Sequence, residues 1–143
     1  MLKILPKILV YRQFRNSLKP LLLPMNLTVS ILYSCNSRCK TCNIYNKTAK
    51  RLSLSEYEEI FRRIGKAPFW ITLSGGEPFL RDDIADICKI IYKHSKPAII
   101  NIPTNGILTE KIIKKVTEIA KHCKKSQIIV NLSIDGIEEE HDK

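Results

Sequence analysis

Four short apolar, β-branched-rich runs, 27–33, 69–73, 98–102 and 127–134, recur along the chain, and no other feature restricts the possible folds so strongly. Each has the length and composition of a strand, and the stretches between them carry apolar residues at helical spacing. A strand and a helix repeating about every 30 residues is the βαβ crossover unit, whose strands must pair in parallel. The expected class is therefore α/β. Nearly continuous apolar strands such as Ala98-Ile99-Ile100 suit a sheet covered by helices on at least one face. Periodicity alone does not separate a doubly wound sheet from a barrel.

The intervening helices have legible ends and faces. Ser53 and Glu56 form a candidate capping box, and Gly65 is placed to close the same helix with a left-handed residue. Its inward face is read as Ile60, Phe61 and Ile64. A second helix starts near Asp82, with acids in its first turn, and lines up Ile84, Ile87, Cys88 and Ile91. A third opens at Thr109 and places Ile112, Val116, Ile119 and Cys123 on one stripe. Cys88 and Cys123 are thereby assigned to the core, where a thiol behaves as a small hydrophobe.

Charge and cysteine usage narrow the function classes. The 143 residues carry a formal charge of +10, but its distribution is uneven: residues 1–55 hold ten Lys or Arg and no acid, while the remainder holds 14 of each sign. Residues 1–26 form a basic amino-terminal extension that could touch RNA, an acidic membrane surface or an acidic peptide. It lacks the interleaved aromatics of single-strand binders, and the rest of the chain is neutral, which together argue against nucleic acid. No apolar stretch approaches the length of a membrane span. Five cysteines without a secretory leader pattern fit a reducing cytoplasm.

The chemistry lies in the segments that follow the strands. After the first comes Cys35-Asn36-Ser37-Arg38-Cys39-Lys40-Thr41-Cys42, three thiols within eight residues. Arg38 and Lys40 favour thiolates and offset the charge of a metal cluster. A closed zinc site takes four ligands, and the histidines, His94, His122 and His141, all come later. Ferredoxin clusters also take four thiolates, so three leave one iron open to an external ligand. Three unligated loop cysteines are the plain alternative. After the second strand comes Ser74-Gly75-Gly76-Glu77-Pro78, whose paired glycines let backbone approach a small zwitterion closely. Pro103-Thr104-Asn105-Gly106 follows the third strand. Ser133-Ile134-Asp135-Gly136 follows the fourth, with the hydroxyl and carboxylate of Ser133 and Asp135 on one face, a geometry suited to ribose. Singly each could be a turn; jointly they occupy the carboxyl ends of successive parallel strands, where α/β sheets and barrels bind ligands.

In order and spacing, CxxxCxxC, GGEP, Thr-Asn-Gly and Ser-x-Asp resemble the radical S-adenosylmethionine superfamily over residues 27–143. The resemblance implies a partial (βα) barrel with about four parallel strands, a 4Fe-4S cluster held by Cys35, Cys39 and Cys42, and S-adenosylmethionine chelating the open iron. Gly75, Gly76, Glu77 and Pro78 match the segment that holds the methionine amino group, and Thr104, Asn105, Ser133 and Asp135 match positions contacting ribose or carboxylate. Reduction would cleave the cofactor to methionine and a 5′-deoxyadenosyl radical that abstracts hydrogen from substrate. A flavodoxin- or ferredoxin-like electron donor is implied, and a small-molecule or peptide substrate.

Two departures follow. Thr41 stands where relatives commonly carry an aromatic before the third cysteine, leaving adenine packing to Ile44 or Tyr45. The family barrel has six strands, so within this sequence it is expected to be incomplete, lacking the fifth-strand segment that contacts adenine. Ser-Ile-Asp-Gly followed by Glu-Glu-x-His-Asp resembles the branch of peptide-modifying enzymes with cysteine-rich extra domains and molybdenum-cofactor enzymes. The competing readings are a non-catalytic iron–sulfur or metal-binding module, including an inactive truncation product, and a basic RNA-binding domain.

Overall fold

The computed structural model describes residues 23–134, together with Ile8 and Arg12. The basic extension is for the most part outside the described residues, and Asp135 and Gly136 lie outside them as well. Four strands, β1 (Asn26–Leu32), β2 (Trp70–Gly75), β3 (Ile99–Thr104) and β4 (Gln127–Leu132), form one sheet in the order β1-β2-β3-β4, with every neighbouring pair parallel. Three helices fill the connections: α1 (Leu54–Ile64), α2 (Ile84–His94) and α3 (Thr109–His122). The α/β class and the parallel pairing expected from the repeat are both present, and the strands follow one another in chain order.

Local sequence accounts for the element ends. The Ser53 hydroxyl accepts from the Glu56 N–H at 3.3 Å while the Glu56 carboxylate accepts from the Ser53 N–H at 2.7 Å, a complete capping box. Gly65 ends α1 at φ +59°, a left-handed backbone that only glycine adopts without strain. α2 begins two residues later than expected, at Ile84. β3 runs two residues past its expected end and includes Pro103. The β2–β3 register stops at Thr72 and Asn101, so the missing N–H of Pro103 falls beyond that ladder, while β3 continues to pair with β4 as far as Thr104 and Leu132.

The helices pack on each other in chain order and cover one face of the sheet. Ile71, Leu73, Ile100 and Ile102 from the strands meet Phe61, Ile84, Ile87, Ile91 and Ile119 in one core, with Cys88 and Cys123 fully buried among them. Ile60, expected on the inward face of α1, is instead exposed; Tyr57 and Phe61 are the buried pair, with Ile64 half-buried on the same stripe. On the opposite face of the sheet a polar ladder runs from strand to strand. The Trp70 indole and the Asn101 amide both donate to the Thr72 hydroxyl, at 3.0 and 3.4 Å, and Asn131 donates to the Asn101 carbonyl oxygen at 2.8 Å.

Candidate cofactor and cluster site

The carboxyl ends of the first three strands carry the polar segments singled out in the sequence, which are bonded to one another; of the segment after β4 only Ser133 and Ile134 are among the described residues. β1 ends in a bulge: Ser30 pairs with Ser74 and Leu32 with Gly75, leaving Ile31 as the extra residue. From there the chain enters the cysteine loop, which lies directly on the glycine segment. The Gly76 N–H donates to the Leu32 carbonyl at 2.9 Å and the Glu77 N–H to the Ser34 carbonyl at 3.0 Å. Gly75 sits at φ +126°, and a Cβ there would strike the Leu32 carbonyl oxygen. A Cβ on Gly76 would strike the carbonyl of Ser34. The glycines are thus required by the close approach of the cysteine loop to the end of β2.

Glu77 joins β2 to β3. Its side chain is buried, 1% exposed, and its carboxylate is shared among protein donors: the Phe79 N–H at 3.1 Å and the Thr104 hydroxyl at 2.9 Å on one oxygen, the Asn105 N–H at 2.9 Å on the other. Pro78 opens the short 3-10 turn Pro78–Leu80 and is buried with Phe79. Asn105 then reaches back to the first loop. Its amide nitrogen donates to the Asn36 side-chain oxygen at 2.8 Å and lies 3.9 Å from Cys35 Sγ, while its own oxygen accepts from the Ile107 N–H at 3.1 Å. Cys35, Gly76 and Asn105 are thereby held at one end of the sheet.

Within the loop all three thiols are free, Cys35 half-buried and Cys39 and Cys42 exposed. Ser37 links two of them, its N–H donating to Cys35 Sγ at 3.4 Å and its hydroxyl 3.3 Å from Cys39 Sγ. The Cys42 N–H closes a turn onto the Cys39 carbonyl at 3.1 Å. Among the described residues no three His, Cys, Asp or Glu side chains converge to metal-binding geometry. Ile44 and Tyr45 begin a 3-10 turn just beyond, with Tyr45 partly exposed. Burial raises the other two thiols: Cys88 well above the ordinary range and Cys123 to about 11. They belong to the core, as expected.

The fourth segment contributes through backbone. The Ser133 N–H donates to the Thr104 carbonyl at 2.9 Å, and its side chain is exposed. Beside it, a cavity of about 480 Å³ opens between the ends of β3 and β4 and the start of α3, lined by Thr104, Asn105, Ile107, Ile112, Val130 and Leu132 among others. Arg81 and Asp83, which the sequence did not single out, form an ion pair in which the guanidinium is buried and the carboxylate half-exposed. A charged pair directly after the apolar Pro78-Phe79-Leu80 run was the available signal.

The sequence pattern of the Radical SAM superfamily matches residues 29–143. The chain is 30% identical over 120 residues to the GTP 3',8-cyclase of Aliarcobacter butzleri, covering 80% of this chain and 35% of that protein. It is 31% identical over 128 residues to the GTP 3',8-cyclase of Aquifex aeolicus, covering 76% and 39%, and 32% identical over 120 residues to the probable GTP 3',8-cyclase of Archaeoglobus fulgidus, covering 80% and 37%. The chain therefore spans little more than a third of the length of these relatives. In three dimensions it is similar to BtrN in an open conformation, with a TM-score of 0.55 at 20% identity over 76% of this chain and 56% of that one. BtrN in complex with AdoMet and 2-DOIA gives 0.53 at 18% identity, over 76% and 57%. These two share the fold. With the matched pattern running from within β1 past the end of β4, the chain belongs to the radical SAM superfamily.

Proposed function

We propose that this chain is the radical-generating part of an enzyme, binding a 4Fe-4S cluster through Cys35, Cys39 and Cys42 and S-adenosylmethionine across the ends of β2, β3 and β4. The observation that carries the proposal is the bonding of the cysteine loop to the segments that leave the next two strands, through Gly76 and Glu77 just after β2 and Asn105 just after β3. The donor set fits a cluster. Three free thiols stand on one loop, and Ser37 and Asn105 already aim polar hydrogens at sulfur, the kind of hydrogen bonding that stabilises ligating thiolates.

A bound cluster and cofactor would together supply one-electron cleavage of the sulfonium to methionine and a 5′-deoxyadenosyl radical. What the chain's own residues do is position and select. The N–H groups of Gly76 and Glu77 are committed to the loop, so the glycine segment has carbonyl oxygens left to offer, acceptors matched to an ammonium group. Glu77 fixes the Thr104 hydroxyl and the Asn105 backbone, so those two side chains meet a ligand in set positions. Ser133 stands exposed at the mouth of the cavity, and Asp135 follows two residues on for a ribose hydroxyl. The cavity's apolar wall suits an adenosyl group, and its volume falls in the range of small-ligand sites.

A flavodoxin- or ferredoxin-like electron donor, a cytoplasmic location and a small-molecule or peptide substrate belong to the same proposal. Among the described residues no helix is long and apolar enough to cross a membrane. The relatives' name makes GTP the first substrate to try. The test is anaerobic reconstitution with iron and sulfide. About four irons per chain are expected, lost in Cys35→Ala, Cys39→Ala and Cys42→Ala and retained in Cys88→Ala and Cys123→Ala. Addition of S-adenosylmethionine should change the paramagnetic resonance of the reduced cluster. Cluster loss in either core variant, or no response to the cofactor, would overturn the assignment.

A further inference from the structure

The cysteine loop leaves the sheet after Leu32 and ends at Ser53, the cap of α1. A loop this long presents its thiols to one centre only if its two stems are fixed, since closing a flexible loop and ordering its residues both cost entropy. Both stems lead to one side chain. Arg81 is 4% exposed; its Nη1 donates to the Ile31 carbonyl at 2.9 Å and its Nη2 to the Leu52 carbonyl at 3.1 Å. Ile31 is the bulged residue of β1, whose backbone falls out of step with the ladder, and Leu52 immediately precedes the cap. Asp83 orients the guanidinium through a two-pronged pair, from Nε at 2.8 Å and from Nη2 at 2.7 Å. The ring of Tyr57, on the first turn of α1, lies 5.6 Å from the guanidinium carbon.

We propose that Arg81, oriented by Asp83, is a positioning residue for the cluster loop, fastening its entry and exit stems with one buried guanidinium. The geometry needs arginine: a planar fork reaches two carbonyls and a carboxylate at once, whereas a lysine ammonium is a single point of charge with three donors. Hydrogen bonding to Asp83 raises the Arg81 pKa, and the Asp83 carboxyl is lowered by the same contact, so the pair stays charged. Arg81 touches no cysteine, and its effect on the site is transmitted through the stems. The inference rests on the cluster assignment above only for its consequence, not for its geometry.

The experiment compares the full chain with Arg81→Lys and, as a control for stability alone, Ile119→Val, a core side chain on α3 that makes none of the bonds to the loop stems. In the iron-free protein, hydrogen exchange of the Gly76 and Glu77 amides reports docking of the entry stem, because those amides bond to Leu32 and Ser34. The Glu56 amide, bonded to Ser53, reports the exit stem. In Arg81→Lys these three should exchange about tenfold faster or more, the consequence of losing one or two charge-assisted bonds, while amides of β3 exchange as before. In reconstituted protein, iron release to a chelator should accelerate by a similar factor. Ile119→Val should speed neither selectively. Unchanged exchange at Gly76 and Glu77, or acceleration spread evenly over β3, would overturn the staple. If the parent chain takes up no iron, the cluster assignment falls and the exchange measurement still decides the role of Arg81.

Discussion

Glu77 has both carboxylate oxygens occupied by protein donors, and this makes it sensitive to a change of one atom. In Glu77→Gln the new NH2 must face either the Thr104 hydroxyl and the Phe79 N–H or the Asn105 N–H, and a buried donor facing a donor costs about 1–3 kcal/mol. Urea unfolding should show that loss, and iron retention should fall with it as Asn105 drifts from Cys35; an unchanged midpoint would mean that the three bonds are dispensable. The thiols give a second residue-scale expectation. Burial raises Cys88 and holds Cys123 near 11, so an alkylating agent at pH 8 should modify three thiols in the folded chain and five after denaturation. The Asp83 carboxyl, lowered by its bond to Arg81, stabilises the fold at pH values above its unfolded pKa near 4, and this contribution disappears as pH falls through the lower folded value. Asp83→Asn should therefore flatten the acid limb of the stability profile, measured by thermal melting between pH 6 and pH 2. The three loop cysteines were legible because they fall within eight residues of one another. Arg81 was not, because its acceptors lie 50 and 29 residues away and no local pattern announces them.

At the scale of elements, residue type alone misled where helix rotation was set by a residue of mixed character. Ile60 is apolar and adjacent to Phe61, yet the buried stripe of α1 runs through Tyr57, Phe61 and Ile64. Tyr57 takes the inward position, with its ring under Arg81, and turns Ile60 toward solvent. The helix ends were legible, since caps depend on neighbours three residues apart. Ser53→Ala removes the acceptor for the Glu56 N–H and should cost about 1 kcal/mol; a value near zero would mean that tertiary packing alone fixes the start of α1. The same substitution should loosen the exit stem of the cysteine loop, visible as faster exchange of the Glu56 amide. The strand cores were legible from β-branched runs, but the extension of β3 through Pro103 was not. Whether a proline is tolerated depends on which neighbour its missing N–H would face, and that is a property of the assembled sheet.

For the whole molecule, the order and sense of the strands followed from connection length, and so did the gathering of Cys35, Gly76 and Asn105 at one end. That Cys35, Cys39 and Cys42 do not converge did not follow, since spacing along a loop does not fix the loop's conformation. Among the described residues β4 pairs only with β3, and its outer edge offers Ile128, Ile129 and Val130 without a charge. Beside it stand the most exposed large apolar side chains of the described fold, Ile107 at 61%, Ile113 at 62%, Leu132 at 54% and Ile134 at 63%. An uncharged open edge next to an apolar patch is a template for strand addition. The 143-residue polypeptide should accordingly associate as its concentration rises, and sedimentation velocity should resolve a second species. Ile129→Lys places a charge in the half-buried face of the edge strand, the device by which natural sheets discourage edge pairing. It should shift the population toward monomer while leaving the circular dichroism of the sheet and helices unchanged. If the cavity beside that edge is the cofactor site proposed above, association would cover it: S-adenosylmethionine should then bind more weakly as protein concentration increases, and this dependence should vanish in Ile129→Lys. A wild-type chain that stays monomeric across the accessible concentration range would show that the β4 edge is protected by other means and that the patch beside it does not drive association.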